Sequence, residues 1–291
     1  MKENTMFYQT YKTTLKNITR SKTFWAAVML LFIITLYKAI RIGGGYYDFG
    51  FDEMIWDTDP RYILNYQFAV QKVINTCCVL LYYVMPIVSV IATLAVLSRD
   101  YGDSFYEIEK SRGVKTFKYL GGRLAGLLTV TFPVYALAVF LQFYWYVFSR
   151  GGIDGMGTAE MFADTIPRLI RDIVVVGFPC ILLYICLTYA VGSIFKNAVI
   201  GGAAGIGYVV AFYAAYMNLR LRVDPFYFDY LSPMPYKLQD YWHYYDTEWF
   251  EWMLDYLGTS LAKAMICIGV LVGVSLIYLA IAYVRTHKRE I

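Results

Sequence analysis

The sequence predicts an all-α integral membrane protein with six transmembrane helices, and three observations carry that prediction. The 291 residues are 59% hydrophobic and 16% charged, with a mean hydropathy of +0.47, whereas a soluble domain holds about 25% charged residues. The apolar residues gather into six runs, roughly 23–40, 73–97, 119–148, 169–195, 199–217 and 260–284. Each run meets the requirement of about 20 mainly apolar residues for crossing a ~30 Å hydrocarbon layer. The charges fall between these runs with a bias of sign. Segments 1–22, 98–123, 195–198 and 285–291 carry fifteen Lys/Arg against six Asp/Glu, and the remainder carries eleven against sixteen. The positive-inside rule therefore places both termini in the cytoplasm.

The chain opens on a polar stretch of more than twenty residues, which leaves no cleavable signal peptide in view. Residues 5–20 read as an amphipathic helix. Phe7, Tyr8, Tyr11, Leu15 and Ile18 share one face, and Lys12, Lys16 and Arg20 recur on another. That pattern suits a helix lying at the inner interface, with its basic face toward anionic headgroups. Residues 1–22 thus form an elbow before the first span.

Between the second and third spans, residues 98–118 form a polar interruption. Ser104-Phe-Tyr-Glu107 has the form of a capping box, with Asp103 and Glu107 at the positive end of a short helix. Lys110 and Arg112 fall at its other end and Gly113 supplies a stop. A helix of about ten residues with its own caps is expected to project Phe105, Tyr106 and Ile108. It reads as a knob for a cytoplasmic partner, or as a loop helix resting on its own membrane domain.

The later spans add weaker signals. Pro86, Pro133 and Pro179 are expected to bend spans two, three and four. The fourth and fifth runs are separated only by "KNA", with Lys196 at a tight turn. Gly201, Ala204, Gly205 and Ala211 in the fifth run, and Gly269 and Gly273 in the sixth, permit close helix approach, either within the bundle or at a dimer seam. Residues 218–258 form an outer, aromatic-rich segment whose "DTEWFEWMLDYLG" reads as amphipathic: Trp249, Trp252, Met253 and Tyr256 oppose Glu248, Glu251 and Asp255. It predicts an interfacial or re-entrant element before the sixth span.

Several function classes find no support. The middle of each run lacks Asp, Glu, Lys, Arg and His, groups that ion-coupled transporters keep at membrane depth. His243 and His287, the two histidines, lie outside the runs, and the cysteines (Cys77, Cys78, Cys180, Cys186, Cys267) follow no zinc spacing. No phosphate-binding G-x-x-x-x-G-K-[ST] occurs, so the chain is expected to hold no cofactor and to perform no catalysis itself.

An elbow before the first span, a hydrophilic helix between spans two and three, and a re-entrant element before span six together resemble the type-2 export permeases of ATP-binding cassette transporters. The family's motif after span two is an acidic residue, a glycine turn, a short helix with Glu, a basic residue and an "lGK.la"-like entry to span three. Here it is matched by Asp100, Gly102, Glu107, Arg112 and "YLGGRLAG". The family's usual Pro-Val-Ser-Arg turn is replaced by "KSRGVK".

The resemblance implies a single permease domain in a bacterial cell membrane. It implies an exporter that pairs with a second permease subunit, alike or different, and with a separate ATPase subunit holding ATP and magnesium. Asp103, Phe105, Tyr106, Glu107, Ile108 and Arg112 would dock that ATPase. Tyr82, Tyr83, Phe140, Phe143, Tyr144, Tyr208 and Tyr213 are candidates to line a pathway for an amphipathic cargo such as a peptide antibiotic, drug or lipid. A non-transporting scaffold or sensor, and a membrane-embedded lipid-modifying enzyme, are the alternatives; the enzyme would need convergent polar groups at membrane depth.

Overall fold

The computed structural model describes residues 2–43, 84–102, 105–111, 113–149, 166–167, 169–171, 173–219 and 260–287. Among them every regular element is a helix. These are α1 (Lys2–Thr19), α2 (Lys22–Gly43), α3 (Met85–Gly102), α4 (Phe105–Ser111), α5 (Thr116–Ser149), α6 (Phe178–Phe195), α7 (Ala198–Leu219) and α8 (Ser260–His287). A five-residue π-helical stretch, Ile173–Gly177, leads into α6. Three helical stretches are long and apolar enough to cross a membrane: Thr116–Tyr144, Leu169–Phe195 and Ile268–His287. The pair α1–α2, bent by 65°, raises that number to four if it counts as one span.

The bend has a local cause. Thr19 ends α1, and the Ser21 hydroxyl accepts the Phe24 amide at 3.2 Å, capping α2. The Trp25 indole donates to the Thr19 carbonyl at 2.7 Å and closes the corner. At the other tight junction, Lys196 takes a left-handed φ of 52°, and the Asn197 side chain accepts the amide of Val199 at 2.8 Å. The turn expected at "KNA" forms in this way, with Asn197 as the cap.

Helix α6 is the axis of the bundle. It touches α3, α5, α7 and α8, and 82% of its most apolar stretch is buried, against 33% for α5 and 17% for α8. Glycines set the closest approaches. A Cβ built on Gly201 would lie 2.7 Å from the Thr188 carbonyl oxygen, and one on Gly205 would lie 2.7 Å from Val90 Cγ2. The fifth run's small residues therefore serve packing of α7 against α6 and α3. Positions Gly269 and Gly273 of α8 meet nothing within 4 Å.

A second glycine seam holds the elbow. Helix α1 lies along α5, with Thr10 over Gly122 and Thr14 over Gly126; a Cβ there would come within 3.0 Å and 2.7 Å of the threonine Cβ atoms. The buried face of α1 is thus Thr10, Thr14, Asn17 and Ile18. Of the apolar face expected from the sequence only Ile18 is fully buried and Tyr8 is 59% exposed, so most of that face is turned away from the bundle. Small hydroxyl side chains let the two backbones approach, and aromatic ones would hold them apart.

Pro133 sits inside α5, which continues helical through it. Pro179 stands at the second residue of regular α6, just after the π turn, where a missing amide proton is best tolerated. Pro86 likewise falls at the second residue of α3.

Gly126→Val should press its side chain into Thr14 and cost about 1–3 kcal/mol by overpacking. Thermal unfolding in detergent should show a lowered midpoint for Gly126→Val and none for Gly273→Ala. Equal midpoints would show that α1 does not rest on this seam.

Candidate functional site

The polar chemistry of the described residues concentrates at one end of the bundle. There α3 finishes, α5 begins, α6 and α8 arrive with their C-terminal turns, and α1 and α4 lie across them. Asp100, in the last turn of α3, and Arg123, in the second turn of α5, form a buried ion pair; both side chains are 1% exposed. Buried ion pairs persist only when their remaining hydrogen-bonding capacity is met. Here the Asp100 second oxygen accepts the Tyr189 hydroxyl of α6 at 3.2 Å. Arg123 Nη1 donates to the Thr14 hydroxyl of α1 at 3.0 Å, and Nη2 lies 3.4 Å from the Tyr119 hydroxyl. The guanidinium also sits over the Tyr119 ring, 5.0 Å from its centroid. Four helices therefore meet on one pair of charges.

The network continues to α4. The Thr14 hydroxyl, while accepting from Arg123, donates to the Thr10 carbonyl at 2.8 Å. The Thr10 hydroxyl lies 3.3 Å from Glu109 Oε2, and Glu109 is buried. Helix α4 is thus seated on α1 by its own carboxylate. Its termination follows the expected pattern, with Gly113 at a φ of 80°. Beside the ion pair, a small apolar cavity opens between α5, α6 and α8, bounded by Leu124, Leu127, Ile185, Cys186, Leu279 and Ala282.

Of the expected docking residues, Glu107 and Ile108 are exposed on α4, Ile108 to 43%. Phe105 and Tyr106 belong to α4 by backbone, and their side chains lie outside the described residues, as do Asp103, Ser104 and Arg112. The self-contained helix expected from its caps is corrected on one count: Glu109 ties it to the elbow. One face of α4 rests on the bundle through Glu109, and another, with Glu107 and Ile108, is exposed.

Among the described residues, the expected pathway aromatics have unlike surroundings. Phe143 is buried in the core, Phe140 and Tyr208 pack against it, and Tyr144 is exposed. Tyr213 lies on α7 with its side chain outside the described residues, and Tyr82, Tyr83 and the outer segment from 220 to 258 fall outside them altogether. The inward face of α5 instead carries Thr131, Tyr135 and Gln142, all fully buried. Among the described residues the Gln142 amide has no hydrogen-bond partner at either atom.

Sequence reasoning missed Glu109, Thr10, Thr14 and Tyr189. Two signals were available: an Arg one turn inside an apolar run, and a Thr-x-x-x-Thr on α1 that matches a Gly-x-x-x-Gly on α5 in spacing. What fold and site together define is an all-helical membrane protein whose helices are tied by a buried charge network at one end. No protein-family model matches the chain, and no curated protein matches it.

Asp100→Asn leaves the Arg123 charge buried without its counter-ion, at a cost of about 3–5 kcal/mol. Unfolding in detergent should record that loss. Asp100→Leu combined with Arg123→Met should recover most of it, because no uncompensated charge remains. A single variant as stable as the unmodified chain would mean that the pair is not buried.

Proposed function

We propose that this chain is the permease subunit of an ATP-driven exporter of the type-2 class, crossing a bacterial cell membrane six times with both termini in the cytoplasm. The observation that carries the reading is α4, a short helix at the end of the bundle where α3 finishes and α5 begins. Its Glu107 and Ile108 are exposed, while its Glu109 anchors it to α1. A helix held on one face and free on another can be gripped by a separate subunit and still move the membrane domain. Ile108 would enter an apolar groove of the ATPase and Glu107 would meet its basic residues.

The distribution of charge supports the sidedness. Lys12, Lys16, Arg20, Lys22, Arg99, Lys115, Lys196 and Arg285 are exposed and belong to segments at this same end, as a cytoplasmic face requires. In this reading α2, α3, α5, α6, α7 and α8 are the six crossings. ATP and magnesium belong to the partner, since this chain offers no phosphate-cradling loop. The cargo is amphipathic: beyond Arg123 the inward face of α5 is apolar apart from Thr131, Tyr135 and Gln142, and a buried amide with no hydrogen-bond partner among the described residues is suited to meeting a cargo's polar group.

The tagged chain, purified from its native cells in mild detergent, should bring down a subunit that hydrolyses ATP. Glu107→Arg with Ile108→Asp should reduce that association at least about tenfold, through loss of a central anchor. A cysteine at Ser111 should react with an impermeant maleimide only after cells are opened. Labelling of intact cells, or ATPase association unchanged by the double variant, overturns the reading.

A further inference from the structure

The two ends of the polar network lie on different elements. Tyr189 is on α6, which is largely buried, and Glu109 is on α4, whose Glu107, Ile108 and Ser111 are exposed. Between them runs a series of hydrogen-bonded groups: Tyr189 to Asp100, Asp100 to Arg123, Arg123 to Thr14, Thr14 to the Thr10 backbone, and the Thr10 hydroxyl, whose proton is shared between Glu109 at 3.3 Å and the Met6 carbonyl at 3.2 Å. Each bond joins a different pair of groups, and together they cross α6, α3, α5, α1 and α4. We infer that this series is a mechanical joint that makes the position of α4 and the inner end of α6 interdependent, with Tyr189 and Thr10 as its positioning residues.

Three features fit a joint better than a static brace. The glycine seam under α1 puts Thr10 and Thr14 in backbone contact with α5, so α1 cannot shift without carrying the Arg123 helix. The small cavity beside Arg123 gives its side chain and the α6–α8 contact room to adjust. At its far end α6 begins in a π turn, Ile173–Gly177, packed on the Tyr135 ring, where a Cβ on Gly177 would come within 2.4 Å. Such turns are local irregularities often found at moving parts. A displacement of α4 would thus reach the deep helix through side-chain bonds at its stiff inner end, and be accommodated at its irregular outer end. The inference rests on the proposed docking role of α4 for the source of the movement, and not for its test.

Hydrogen exchange of the full chain in lipid nanodiscs, without any ATPase, decides it. Tyr189→Phe keeps the ring and removes one hydrogen bond, so amide exchange in residues 105–111 and 6–19 should rise by about threefold or more. In the reverse direction, Thr10→Val should raise exchange in residues 189–195. Thr188→Val serves as the comparison: Thr188 is buried beside Tyr189, and its hydroxyl makes no hydrogen bond among the described residues. It should leave residues 105–111 and 6–19 unchanged. Asp100→Asn should exceed Tyr189→Phe; should it fail to fold, the other variants carry the decision. Unchanged exchange in 105–111 with Tyr189→Phe, or an equal rise with Thr188→Val, overturns the joint. Because no ATPase takes part, failure of a subunit to bind α4 leaves this result standing.

Discussion

An ion pair held out of water constrains everything around it. Asp100 and Arg123 stand on helices separated in sequence by the whole α4 hairpin, and neither can leave without stranding the other's charge in an apolar bundle. That requirement closes the neck of the hairpin: α3 must end where α5 begins, and the segment between them must loop outward from a fixed base. Tyr189 and Thr14 answer part of the remaining hydrogen-bonding capacity, which draws α6 and α1 to the same point. The end of the bundle is thus organised by charge satisfaction, while its length is organised by shape.

Shape matters because lipid removes the usual incentive for apolar surfaces to meet. Helices in hydrocarbon associate through close contact and interhelical hydrogen bonds rather than through escape from water. Both devices recur here. Gly122 and Gly126 admit Thr10 and Thr14 of the elbow, and Gly201 and Gly205 admit α6. The threonines that fill the first seam are also the groups that reach Arg123 and Glu109. One pair of residues therefore supplies the packing that brings α1 near and the bonds that fix its register.

The apolar runs, the tight turn at Lys196 and the short helix before Gly113 were legible because each rests on a local rule of composition or backbone geometry. The network was less so, for a reason visible in α1. Apolar periodicity marks a buried face in water, but at a membrane it also marks surface that lipid can cover. Phe7, Tyr8 and Tyr11 drew attention by their bulk, while the buried contact belongs to threonines of no particular hydropathy. Arg123 was counted among the loop charges, since nothing local shows that a carboxylate twenty-three residues earlier points at it. Glu109 was one acid among several in a polar stretch until its partner on α1 was seen. Within the proposed aromatic set, neighbours such as Phe143 and Tyr144 stand on different sides of α5, a distinction that a list of aromatics does not carry.

If a partner grips α4 as proposed above, what moves follows from where the stiffness of the bundle lies. A knob on two flexible stems would absorb a push by bending at its base. Here the base is locked by an ion pair and the knob is strapped to an elbow that lies flat on α5, so little motion can be lost within the hairpin. What yields must lie further along the force. Helix α6 offers such a place, because its regular turns begin only after a π-helical segment and a proline, where intrahelical bonding is weakest. Tyr135 rests on Gly177 at that level, and Gln142 lies two turns further along α5. A shift at the π turn would rearrange the contact between α5 and α6 next to the deepest polar groups of the bundle, which is where an amphipathic cargo would need an opening.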